Sequence, residues 1–206
     1  TARRHPRTCD PEILHVEGPT DPEVGMLVLR DAESNAVAAL LHHTCHPTHG
    51  YPNRYVIADW PGVWAAKMEE VLGDGCVALP INGCCGNIHH RDHTNPQPGP
   101  SHVEMAEMLT ATASGVLEHL ETQEPPVIAT ARTLIRLPLR EVPDWQVKDA
   151  QRILREHPEP MWKDEAHERV DRKWVDAATR LDLRDHRRES PAMDYEVQVL
   201  RVGETA

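Results

Sequence analysis

The sequence predicts an α/β fold with a mixed β-sheet and flanking helices, and three observations carry that expectation. Apolar, strand-like runs alternate along the chain with amphipathic helical stretches. One run, "AVAALLHHTC" (36–45), is almost continuously apolar, as a strand buried on both faces would be. The helical stretches carry their own start and stop residues.

Residues 1–24 are rich in proline and charge and read as irregular. "GMLVLRD" (25–31) alternates as a strand, "AESN" is a turn, and 36–45 is the next strand, so the two can pair as a hairpin. In "DWPGVWAAKMEEVLG", Pro61 suits an early helical position and Gly73 a helix end. Asp59 is expected to cap that helix, with a place behind a histidine as the alternative, and Val63, Met68, Val71 and Leu72 are its expected apolar face. "CVALPI" (76–81) reads as another buried strand, followed by the loop "NGCCGNIHHRDHTNPQPGPS". Ser101 and Glu104 form a capping box ahead of a helix with the stripe Val103, Ala106, Leu109, Ala113, Val116, Leu117 and Leu120. "VIATARTLIRLPL" (127–139) is a half-exposed strand, residues 144–186 are two charged helices split by "HPEPMW", and "YEVQVLRVG" (195–203) is a final strand. No repeat or low-complexity tract interrupts this order. The expected organisation is one domain over 1–206 with a polar helical insertion at about 144–192.

Composition bounds the function. The chain has 206 residues and a formal charge of −11, which argues against binding nucleic acid or an anionic membrane surface. No run approaches the roughly 20 apolar residues that span a bilayer. The absence of a signal-peptide pattern and five cysteines, an odd number, favour a reducing, cytoplasmic compartment. There is no phenylalanine, and Trp60 and Trp64 are expected in the core rather than in a lipid groove.

The histidines are the informative feature. Of fourteen, seven fall in two clusters: His42, His43, His46 and His49, then His89, His90 and His93. Both clusters follow predicted buried strands. In α/β sheets, sites form outside the carboxyl ends of strands. If the two strands are parallel neighbours, the loops meet across one cleft, where imidazoles can ligate a metal such as zinc. Solvated or structural histidines are the alternative for each of them. Cys45, Cys84 and Cys85 lack a ligand spacing, and nothing in the sequence supplies the base that a catalytic thiol needs.

These residues carry a resemblance. "HPTHGYPNRYVIADWPG" resembles the histidine motif, spacer and aspartate motif of the neutral/alkaline non-lysosomal ceramidase family. "GCCGNIHHRD" looks like that family's glycine-rich serine–proline loop, and "RRHPR" with "DPEVGMLVL" like its approach to the histidine strand, over roughly residues 1–120. The tail "YEVQVLRVGETA" is similar to the strand before the family's glutamate-bearing loop.

The resemblance implies an enzyme of lipid metabolism, a zinc-dependent hydrolase that cleaves an N-acyl amide by metal-activated water. It makes His46 a zinc ligand and places Arg3 near the site, with Ala2 where an asparagine is expected. His89 falls at the position of the family's serine, beside the zinc-bound water, and His90 at that of its proline. Arg3 or His89 would stabilise the oxyanion, an effect on the order of 3 kcal/mol. His49, Asn87 and Asp59 are the expected substrate-side residues. The remaining zinc ligands are expected outside this stretch, in the rest of a longer polypeptide. Two other readings stand beside this one: a non-catalytic ceramidase-like module without its metal site, and a cysteine–histidine hydrolase built on Cys45 or Cys84.

Overall fold

A computed structural model describes residues 9–11, 13–16, 18–51, 56–122 and 127–203. The chain divides into two compact units, Thr1–Glu121 and Thr122–Ala206.

The first unit is built on a three-stranded mixed sheet in the order β1 (Val24–Arg30), β2 (Ala36–His43), β3 (Val77–Asn82). β1 and β2 form the expected antiparallel hairpin, joined by a turn in which Asp31 accepts from the Asn35 amide and backbone. β3 lies parallel to β2, from Ala38↔Val77 to His43↔Asn82. The crossover between them is α1 (Asp59–Leu72). Its last turn closes at Gly73, whose φ of 107° suits a residue without Cβ, and Glu69 reaches back to accept from the Ala78 backbone at 3.0 Å.

α2 (His102–Leu117) has the predicted capping box: Ser101 Oγ accepts from Glu104 N–H, and the Glu104 carboxylate accepts from Ser101 N–H. Both helices pack on one face of the sheet. There Trp60, Trp64 and Met68 of α1 meet Ala39, Leu41, Ala78 and the small stripe Ala106, Leu109, Ala113 of α2. Bulky indoles against alanines let the layers approach at interior density.

Two expectations change. Val71 is exposed, while Met68 joins the tryptophans, as expected in the core, in a buried stripe at four-residue spacing. The β3 run is apolar but not buried on both faces, because the helices cover only one side. Ala78 is buried there, whereas Val77, Leu79 and Ile81 are exposed on the other. An apolar run does not distinguish these cases by periodicity.

The second unit pairs β4 (Ile128–Pro138) with β5 (Ala192–Val202) as a long antiparallel ribbon in unbroken register. Two helices, α3 (Asp144–Glu156) and α4 (Arg172–Glu189), pack on each other through Ala150 and Ala177. Asp171 caps α4 by accepting from Lys173 N–H at 2.7 Å. The Trp174 indole donates to the His157 carbonyl, which pins the loop between the two helices. Among the described residues no helix is long and apolar enough to cross a membrane.

Candidate functional site

The parallel register of β2 and β3 brings the carboxyl ends of both strands level, and the two histidine loops leave the sheet side by side. Asn82 Oδ1 accepts from Cys45 N–H at 3.3 Å, so the loops are stitched where they begin. Gly83 permits this closeness. A Cβ at that position would lie 2.1 Å from Thr44 Oγ1 and 2.9 Å from His42 Nε2.

His49 and Asp59 form the best-defined contact. His49 Nδ1 lies 2.7 Å from Asp59 Oδ1, with the side chains only 7% and 6% exposed. The carboxylate also accepts from Trp60 N–H at 2.8 Å and Gly50 N–H at 3.2 Å. Burial pushes the Asp59 carboxyl up, but these three donors outweigh it, and the net effect holds it below the ordinary carboxylate range. Asp59 is therefore not the cap residue expected. Ala58 occupies the cap position, and Asp59 stands at the start of the helix with φ 54°.

Around His49 the second loop contributes a chain of rings. His90 stacks on His49 with centroids 3.7 Å apart, His89 is 4.2 Å from His90, and His93 is 5.0 Å from His89. His102, at the start of α2, lies 6.1 Å from His49. Burial, then His49 and His89, push the His90 imidazole down from an ordinary 6.5 to about 4. His49 Nε2 and His90 Nδ1 are buried without a hydrogen-bond partner among the described residues. The sequence announced His90 by its neighbours, while nothing in it set His102 apart from a helix-surface histidine.

The other predicted residues are placed as follows. Arg3 lies outside the described residues. His46 is exposed at the start of its loop, where its carbonyl accepts from Thr48 Oγ1 at 3.4 Å. His89 joins the ring chain, its Nδ1 accepting from Arg91 N–H at 3.1 Å. Asn87 lines an open depression of about 340 Å3 with Asp21, His42, Thr44 and Cys84, none of them part of the His49–Asp59 contact. His43 is structural: its Nδ1 meets the Glu23 carbonyl at 3.1 Å and its ring meets the edge of Trp60. Among the described residues, no three His, Cys, Asp or Glu side chains are disposed to hold one metal ion. Burial, and after it Cys85 and Asp59, push the Cys45 thiol up to about 11, which disfavours the thiolate that a cysteine nucleophile requires.

A pH dependence follows. His90 binds its proton more weakly folded than unfolded, so the unfolded chain holds more protons between about 6.5 and about 4. Folding stability is expected to fall as pH drops through that window. The Asp59 contribution, present above the ordinary carboxylate range, is lost only at lower pH still. Melting temperature against pH would read this, and a His90→Gln variant should flatten the upper step. An unchanged slope in that variant would refute the assignment.

No protein-family model matches the sequence, and no curated protein does. Solved structures match it in shape. One is a ceramidase complexed with C2, at 20% identity over 64% of this chain and 22% of that one, with a TM-score of 0.50. Another is the crystal structure of neutral ceramidase from Pseudomonas aeruginosa, at 14% identity over 89% of this chain and 33% of that one, with a TM-score of 0.54. The fold is ceramidase-like. The chain spans a third or less of the ceramidases it matches, and the Pseudomonas aeruginosa likeness runs across both units of this ceramidase-like chain.

Proposed function

We propose that the chain is part of a hydrolase of an N-acyl amide, a ceramide-like substrate, and that its two units belong to one domain completed by a longer polypeptide. The observation that carries this reading is the meeting of the two histidine loops at the level ends of β2 and β3, on a ceramidase-like fold. His89 is suited to donate to a developing oxyanion, and Asn87 with the depression beside it to hold part of the substrate.

Zinc is the cofactor that the resemblance implies, with His46 as its ligand. A catalytic zinc site takes three protein ligands and an open position. His46 stands exposed, and the described residues do not provide the others. On their own they do not fit the ion. A zinc held through His46 needs donors from elsewhere in the polypeptide. The incomplete donor set also favours a second reading, a ceramidase-like module without catalysis.

Elemental analysis of the full-length protein and a His46→Ala variant separates the two. The hydrolase reading expects about one zinc per chain, lost in His46→Ala together with hydrolysis of a long-chain N-acyl amide. A full-length protein with neither metal nor hydrolysis would leave the non-catalytic module.

A further inference from the structure

The His49–Asp59 contact has features that a purely structural histidine lacks. A structural imidazole satisfies both nitrogens or leaves one in water, because a buried group without a hydrogen-bond partner loses its hydration uncompensated. His49 does neither. Its Nδ1 is fixed by Asp59 at 2.7 Å, and its Nε2 is buried with no hydrogen-bond partner among the described residues. An ionised carboxylate can only accept, so the contact places the proton on Nδ1 and leaves Nε2 as the basic nitrogen. Asp59 is itself held by two backbone N–H groups, which fix the direction in which His49 points.

We propose that His49 is the catalytic base and acid of this site and that Asp59 is its positioning residue, a dyad acting on the amide through His49 Nε2. The inference rests on the hydrolase reading and supplies its proton transfer. As water attacks the carbonyl carbon, Nε2 takes one of its protons and the new C–O bond forms. The same proton then passes to the amide nitrogen as the C–N bond breaks. A carboxylic acid and an amine leave, and His49 returns to its neutral form without any other reactant. During the step the imidazolium is stabilised by Asp59.

The groups facing His49 are compatible with this role. They are Asp59 from α1, His90 with His89 and Arg91 behind it from the β3–α2 loop, and His102 from α2, while Cys45 approaches Asp59 from the end of β2. His90 remains uncharged until about pH 4, so a positive charge on His49 meets no like charge in the ring stacked at 3.7 Å. His90 covers one face of His49 and leaves the in-plane lone pair of Nε2 uncontested by a second ring donor among the described residues.

The test uses the full-length protein and a long-chain N-acyl aminocoumarin. His49→Gln, which keeps an amide donor for Asp59, is expected to lose about 10²–10⁴-fold in kcat with KM little changed. Asp59→Asn is expected to lower kcat and to move the acid limb of the pH–rate profile to lower pH, because the imidazolium loses its carboxylate. A merely structural role lowers the folded fraction but leaves that limb in place. Nitrogen NMR of the parent protein should show His49 as the Nδ1–H tautomer. An Nε2–H tautomer, or kcat retained within about threefold in His49→Gln beside an active parent, overturns the dyad and leaves the hydrolase reading intact. A parent that hydrolyses no N-acyl amide fails the hydrolase reading, and the catalytic role of His49 falls with it.

Discussion

Asp59→Ala is expected to lower the unfolding free energy of the full chain by about 3–5 kcal/mol, because three donors lose a charged acceptor at about 1–3 kcal/mol each. The carboxylate serves three donors at once: His49 Nδ1–H, Trp60 N–H and Gly50 N–H. Alanine leaves all three without an acceptor, next to a core that admits no replacement water at Trp60. Backbone adds to the loss, because Asp59 sits at φ 54°, a region that aspartate tolerates better than alanine does. Urea unfolding of Asp59→Ala, Asp59→Gly and Asp59→Asn divides the effect. Glycine removes the backbone part, and asparagine keeps one acceptor. A loss below about 1 kcal/mol in the alanine variant would show that the buried contact is not the anchor of this loop.

Trp64→Ala should cost a similar amount, about 3–5 kcal/mol, for a different reason. Trp64 is fully buried between the sheet and α2, with Trp60 at 6.0 Å between ring centroids. On the facing helix the core is Ala106, Leu109 and Ala113, and the two alanines have nothing beyond Cβ to move into the space left behind. Collapse is therefore limited and most of the cavity persists. Its indole N–H has no hydrogen-bond partner among the described residues, so Trp64→Phe removes an unsatisfied donor along with some volume. The phenylalanine variant should retain most of the stability in thermal unfolding. Equal losses in the two variants would refute the cavity account.

Much of the fold was legible because the local chemistry agreed with it. Gly73 ends α1, Ser101 and Glu104 open α2, and the turn at "AESN" makes the hairpin, with Asp31, read as the strand's end, accepting from Asn35 across it. The face of β3 was not legible. Val77, Leu79 and Ile81 read as core, and only the one-sided placement of the helices shows that they are not. Similarly, the two histidine clusters could be paired from the sequence on condition of a parallel neighbour, which β2 and β3 supply. The His49–Asp59 contact could be offered only as an alternative to a cap. It depends on how the loop between the two residues folds back, and no periodicity encodes that. His102 was invisible for the same reason: only its distance from His49 distinguishes it.

The level ends of β2 and β3 make the sheet a ruler for the chemistry above it. One residue added within β3 would advance the following loop by about 3.3 Å and turn each later side chain of the strand to the opposite face. Leu79 would then take the place of Pro80 and face the helices, and His90 would slide off His49, whose ring it meets at 3.7 Å. Residue count in these strands is thus as restrictive as residue identity in the loops. Length changes can be absorbed only where the chain is not measuring a distance.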